Sequence, residues 1–217
     1  MILKVEEENC MKKYYPVNLD IEGKPVAIVG GGKVAERKVG QLLQAGANVT
    51  LISPKITEGL SQLVEIGALA WNEKEVALED LRDAEIVVAA SNNAEINEWI
   101  ASNKKPNQLV NLADNHESSD FHTPSVIRRG RLVITVSTSG ASPMLSRKIS
   151  REIAEQYDDR YEEYMDFLFA CRERIKREVE DPIKKRNLLA ALLDEDFLSK
   201  NDRETSFQIL YKKIMEQ

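Results

Sequence analysis

Val26-Ala27-Ile28-Val29-Gly30-Gly31-Gly32-Lys33-Val34-Ala35 is the stretch on which the reading of this chain turns. Four consecutive apolar residues suit a strand buried on both faces. The glycines then turn the chain, and Val34, Val39, Leu42 and Leu43 recur at helical spacing as far as Gly46, a residue type that often closes a helix. Strand, glycine turn and helix in this order fit the G-x-G-x-x-A dinucleotide fingerprint. The first glycine permits a tight turn, the second lets the backbone approach a pyrophosphate, and the small third residue lets the helix pack closely on the strand. The helix start adds unpaired N–H groups and partial positive charge for phosphates. Gly30, Gly31, Gly32, Lys33, Val34 and Ala35 are thus candidate nucleotide contacts, the alternative being a compact turn with no ligand.

Working outward, the alternation continues. Val49-Thr50-Leu51-Ile52 predicts a strand, 57–66 a helix, 68–71 a short strand, Ile86-Val87-Val88-Ala89-Ala90 a buried strand, 94–102 a helix and Leu109-Val110-Asn111-Leu112 a further strand. Such βαβ alternation calls for a parallel sheet covered by helices. After Asp114 the pattern changes. Ser125-Val126-Ile127 and Leu132-Val133-Ile134-Thr135-Val136 flank Arg129-Gly130 as a hairpin, and a Ser- and Gly-rich loop over 137–142 leads to Pro143, which suits the first turn of a helix. The remainder reads as helix, broken at Asp181-Pro182. The expected fold is α/β: an N-terminal Rossmann-type parallel sheet, a small mixed segment and a C-terminal helical domain.

With 217 residues the chain has room for one large domain, or for one ordinary domain and an appendage. Its 42% hydrophobic and 30% charged residues are those of a globular protein. No apolar run reaches the roughly 20 residues of a membrane span, and the first 13 residues do not read as a secretory leader, so a soluble, cytoplasmic protein is expected. Cys10 and Cys171 read as reduced thiols, not as a disulfide or a structural zinc site. A net charge of −6 argues against general nucleic-acid binding. Locally, however, 121–151 holds no acidic residue but carries Arg128, Arg129, Arg131, Arg147, Lys148 and Arg151, a candidate seat for an anionic ligand.

Ligands of open α/β sheets bind beyond the carboxyl ends of the strands. Asp114 and Ser91 both fall there; Asp114 can serve as a base beside a bound nucleotide or simply cap a turn. The second strand ends in Ser53-Pro54-Lys55 and lacks the acidic residue that usually holds the ribose, so the residues alone do not choose NAD over NADP; Lys55 suits a 2′-phosphate or an ordinary surface turn equally. His116 and His122 lie near Asp114 and are weak metal candidates in a loose pattern.

Taken together, the sequence resembles the precorrin-2 dehydrogenase family, the dehydrogenase module of siroheme synthesis, over nearly its whole length. The resemblance rests on Tyr15-Pro16-Val17-Asn18-Leu19-Asp20, the glycine loop with Val34-Ala35-Glu36-Arg37-Lys38, Ala90-Ser91-Asn92-Asn93 with Asn97, Val110-Asn111 with Asp114, and Arg128-Arg129-Gly130 through Val136-Ser137-Thr138-Ser139-Gly140-Ala141-Ser142-Pro143. It implies NAD-dependent oxidation of precorrin-2, a polycarboxylate tetrapyrrole, to sirohydrochlorin, with Asp114 as the catalytic aspartate. It also implies nucleotide contacts on the glycine loop, on Lys33 and Val34, and at Pro54-Lys55. Three parts are implied: an NAD-binding Rossmann domain over 1–113, a dimerisation segment over 114–150 and a helical domain over 151–217, assembled as an intertwined homodimer. Carboxylate recognition by guanidinium groups makes Arg128, Arg129 and Arg147, with Thr138, Ser139, Gly140 and Ser142 of the loop, the expected substrate contacts. Thr138 stands where some relatives carry a phosphorylated serine. Because some relatives also insert ferrous iron into sirohydrochlorin, a bifunctional enzyme is the alternative, and a nucleotide sensor without turnover is the reading from another class.

Overall fold

Five of the apolar runs pair side by side. In the computed structural model, which describes residues 14–115, 117–199 and 202–216, strands Pro25–Val29 (β1), Asn48–Ile52 (β2), Ala70–Asn72 (β3), Ile86–Ala89 (β4) and Leu109–Leu112 (β5) form an all-parallel sheet. Its order is β3-β2-β1-β4-β5. Val26 pairs with Val49 on one side and Ile86 on the other, so β1 and β4 meet at the centre, where the winding direction reverses. The carboxyl ends of these two strands are where a doubly wound sheet opens a crevice for ligands.

Alternate residues of the strands feed two cores. On one face Val26, Ile28, Val49, Leu51 and Val88 pack with Ala35 and Val39 of helix Lys33–Gln44 (α1) and Leu60 of helix Glu58–Glu65 (α2). On the other, Ala27, Val29, Val87, Ala89, Val110 and Leu112 pack with Ile100 of helix Ala94–Ser102 (α3). The α1 helix closes as expected: the Gly46 N–H donates to the Leu43 carbonyl (3.0 Å) and the Ala47 N–H to the Leu42 carbonyl (3.1 Å).

The open edge of β5 is covered by its own continuation. The chain leaves the strand, turns and returns alongside it, where Asp120 exchanges both of its backbone-facing bonds with Val110, at 2.8 Å each. The Leu112 N–H donates to the Ser119 hydroxyl (2.9 Å), and the Asn111 amide donates to the Phe121 carbonyl (2.9 Å). An edge strand treated this way offers little for another chain to pair with, and the loop carrying Asp114 is anchored at both ends.

These elements make up one compact unit, 1–123; the second is 124–217. There Ser125–Arg129 (β6) and Leu132–Val136 (β7) form an antiparallel hairpin around Gly130. Helices Pro143–Gln156 (α4), Arg160–Glu178 (α5), Pro182–Ala191 (α6), Glu195–Ser199 (α7) and Arg203–Met215 (α8) follow. Tyr164, Cys171, Ile175, Leu188, Leu192 and Phe207 centre the helical core, and the buried Tyr164 hydroxyl donates to the Leu192 carbonyl (2.6 Å).

Two local features differ from expectation. The helical run begun at Pro143 breaks over 157–159, because the Asp158 carboxylate accepts from the Arg160 N–H (3.1 Å) and from its guanidinium (2.9 Å), offering the backbone a competitor to the helical bond. A short 3₁₀ turn, Leu78–Leu81, forms where no periodicity marks one; Asp80 accepts the Ala77 N–H (2.8 Å) and pairs with Lys74 (2.8 Å). No described helix is long and apolar enough to cross a membrane.

Candidate active site

The turn from β1 into α1 uses its three glycines differently. Gly30 has φ +113°, which L side chains rarely adopt, and a Cβ there would also strike the Ala90 carbonyl. At Gly31 a Cβ would run into the Lys55 carbonyl, so the loop after β2 is seated directly on this residue. A bond from the Thr57 N–H to the Gly31 carbonyl (3.0 Å) holds it there. Gly32 is the opposite case: its backbone is ordinary, φ −86°, and no atom lies within 4 Å of where its Cβ would be. Free space at Gly32, an α1 start that no side chain caps, and a fully buried Ala35 together fit a bound pyrophosphate.

Glu36 ties α1 to the neighbouring loop. Its carboxylate accepts from the Thr57 hydroxyl (2.6 Å) and from the Lys33 ammonium (3.0 Å), which in that order hold it below the usual carboxylate range. Ser53 is buried with its hydroxyl spent on the Lys55 carbonyl (2.8 Å), and the Trp71 indole donates to the Ser53 carbonyl (2.9 Å). Pro54 and Lys55 are exposed. Beyond β3 and β4, Val76, Ile96 and Trp99, with Glu75, Asn93 and Glu95, line a recess of about 320 Å³. Apolar side chains with a few polar neighbours are the usual lining of a small-molecule pocket.

At the ends of β4 and β5 the structure brings Ser91 and Asp114 together through a third residue. Asn97, on α3, is wholly buried. Its oxygen accepts the Ser91 N–H (3.2 Å), and its nitrogen donates to the Ser91 carbonyl (3.0 Å) and to Asp114 Oδ2 (2.8 Å). Asp114 itself is exposed, so one carboxylate oxygen is fixed from inside while the side chain faces solvent. The next residue, Asn115, is held by Glu98 (2.6 Å).

Lys38 is a second buried polar group, like Asn97 part of the resemblance but given no role by the sequence. Reaching from α1 across to β5, its ammonium donates to Asn111 (3.1 Å) and to the Thr123 hydroxyl. Burial, with the charge of Arg37 second, pulls it down to about 8. The unfolded chain keeps this proton up to about pH 10.4, so between the two values it binds more protons than the native state and stability rises with pH. Denaturant melts of the wild type should therefore gain stability relative to Lys38→Met from pH 8 to pH 10; a difference that stays flat contradicts the burial of a charged Lys38.

In the second unit the basic residues divide. Arg129 pairs with Asp159 (3.1 Å), and Arg131 pairs with Asp166 (3.1 Å) while stacking on Phe169. Arg128 and Arg147 are exposed and make no ion pair among the described residues. The Thr138 hydroxyl accepts the Ser142 N–H (3.1 Å), Ser142 caps α4 through the Leu145 N–H (3.2 Å), and Ser139 and Gly140 both have positive φ. His122 packs edge-on against Tyr14, centroids 4.4 Å apart, whereas His116 lies outside the described residues. No group of three metal-binding side chains gathers among the described residues.

Three family models match in succession: "Putative NAD(P)-binding" over 17–125, "Sirohaem biosynthesis protein central" over 129–156 and "SirC C-terminal domain" over 161–206. The precorrin-2 dehydrogenase of Priestia megaterium is 34% identical over 183 residues, 84% of this chain and 91% of that protein. That of Bacillus subtilis (strain 168) is 36% identical over 143 residues, 66% of this chain and 86% of its own length. A solved structure titled "SirC, precorrin-2 dehydrogenase" superposes with a TM-score of 0.80 at 32% identity, covering 92% of this chain and all of that one.

Proposed function

The chain belongs to the precorrin-2 dehydrogenase family, and from that premise we propose that it oxidises precorrin-2 to sirohydrochlorin with NAD in siroheme biosynthesis. The observation that carries the reading is the joint presence of a dinucleotide cradle at the end of β1 and a carboxylate fixed by Asn97 at the end of β5, on the same sheet. When bound, NAD supplies the hydride acceptor. The chain supplies the rest: Gly30, Gly31 and Gly32, with the backbone of Lys33, Val34 and Ala35, bind the pyrophosphate. The loop at Ser53, Pro54 and Lys55 borders the ribose through its backbone, as the buried Ser53 hydroxyl suggests. Ser91 borders the nicotinamide half. Asp114 takes or steers the proton released as hydride leaves a ring carbon.

Substrate carboxylates call for guanidinium partners. Of the candidates, Arg128 and Arg147 make no ion pair among the described residues, whereas Arg129 is engaged with Asp159 and serves through that pair. Thr138, Ser139, Gly140 and Ser142 form the polar loop assigned to the same ligand. Functionally the chain divides into a nucleotide-binding part over 1–113, a dimer-forming part over 114–150 and a helical part over 151–217.

An intertwined homodimer is supported by the β6–β7 hairpin. A two-stranded sheet is marginal alone, and Val126 is 45%, Met144 78% and Leu145 48% exposed, apolar surface in want of cover. Sedimentation should give twice 24.6 kDa at micromolar concentration; a mass of 24.6 kDa removes the dimer. The protein acts in the cytoplasm, on a small tetrapyrrole, with no nucleic acid or membrane partner. Insertion of ferrous iron is not favoured: the relatives matched over most of their own lengths are named precorrin-2 dehydrogenase. Anaerobic incubation with precorrin-2 and NAD should yield NADH and sirohydrochlorin one for one, and no faster iron insertion when ferrous iron follows. Folded, NAD-loaded protein that forms neither product would overturn the proposal.

A further inference from the structure

We propose that Asn97 is a positioning residue for the reaction: it sets the direction of the Asp114 carboxylate and ties it to the loop after β4. This rests on the reading of Asp114 as the proton-handling group. Asn97 has no exposed surface, yet it spends three bonds on two loops and none on its own helix through its side chain. The amide cannot be turned round. An N–H from Ser91 must meet the amide oxygen, while the Ser91 carbonyl and the Asp114 carboxylate must both meet the amide nitrogen.

A buried amide satisfied on three sides is a rigid bracket. Through it the carboxylate cannot rotate without leaving an N–H of Asn97 unpaired in the interior, which is costly. Oδ2 is therefore the structural oxygen, and Oδ1 is left for the reacting atoms. The same bracket reaches the nucleotide side. Ser91 follows Ala90, whose carbonyl is packed so closely on Gly30 that a Cβ would not fit, so the glycine loop, the β4 loop and Asp114 are joined by contacts at every step. A group that must hold a proton partner in line with a hydride transfer gains rate from such fixed alignment.

The test is Asn97→Asp, which keeps size and the acceptor for the Ser91 N–H but replaces the nitrogen that donates to Asp114 and to the Ser91 carbonyl with a carboxylate oxygen. Two carboxyl groups in contact share a proton, and the second ionises only at higher pH. The expected result is a kcat reduced about a hundredfold at neutral pH, an acid limb of the kcat profile moved up by about one pH unit or more, and a Kd for NAD within about threefold of wild type. A structural defect alone lowers activity at every pH without moving the limb. Should Asn97→Asp fail to fold, Asn97→Leu, uncharged and of similar size, frees both Ser91 and Asp114 and is expected to lose kcat about tenfold or more, with a smaller rise in KM for NAD; a wild-type kcat overturns the positioning role.

Asp114→Asn is measured beside them. An inactive Asp114→Asn with a wild-type profile for Asn97→Asp overturns the positioning role alone. A fully active Asp114→Asn overturns the reading of Asp114 and the bracket with it.

Discussion

Gly32→Asp is expected to abolish useful NAD binding while leaving the fold as stable as before or slightly more so. The two halves of this result come from the same place. Gly32 is the N-cap of α1, with extended backbone that any residue adopts and no side chain capping the helix. Aspartate is among the best N-cap residues and its charge favours the helix start, so the substitution adds about 0.5–1 kcal/mol. Nothing stands within 4 Å of the new Cβ to oppose it. The same carboxylate, however, occupies the space assigned to the pyrophosphate. Two like charges about 4 Å apart at an effective dielectric of about 20 repel by about 4 kcal/mol, or about a thousandfold in Kd. A melt at or above the wild-type temperature together with a thousandfold weaker NAD titration is the predicted pair. Undiminished binding would place the phosphates elsewhere. At Gly31 the two effects cannot be separated, because a Cβ there meets the Lys55 carbonyl and damages the loop itself.

Asp114→Asn is expected to lower kcat by about a hundredfold to ten-thousandfold, the range for losing a general base, with NAD affinity unchanged. The substitution is isosteric, and the new amide can still present its oxygen to Asn97, so the bond at 2.8 Å survives in kind. What is lost is the ability to take a proton. The anchoring of the loop at Ser119, Asp120 and Asn111 does not involve Asp114, and the melting temperature should stay within about 2 °C. A loss confined to KM for precorrin-2 would recast Asp114 as a binding group. Normal turnover would remove it from the chemistry.

The sheet was legible because buried parallel strands leave runs such as Ile86-Val87-Val88-Ala89, and because turns and helix ends leave glycines. α3 was read at its observed limits, 94–102. The break over 157–159 was not, since the apolar stripe of α5 continues that of α4 in phase with a helix and only the paired aspartates interrupt it. The rule for sheet edges points to Asp114 and Ser91 as candidates, and both lie just past the ends of β5 and β4, in contact with one residue. Asn97, by contrast, sits in a helix where asparagine usually faces water, and its role exists only through contacts with two loops. The burial of Lys38 is hidden for the same reason, since its partners Asn111 and Thr123 lie more than seventy residues further along the chain. The basic stretch 121–151 shows the converse limit. Its arginines were legible as a cluster, but the partners of Arg129 and Arg131 lie about thirty residues further along the chain, at Asp159 and Asp166.

The most direct measurement of the central claim is a single-turnover experiment under anaerobic conditions, with protein in excess over precorrin-2 and saturated with NAD. NADH and sirohydrochlorin should rise together with wild-type protein. With Asp114→Asn, loaded with NAD to the same extent, both should remain near the background of the uncatalysed reaction. Equal rates from the two proteins, or no NADH from wild-type protein with NAD bound, would contradict the account.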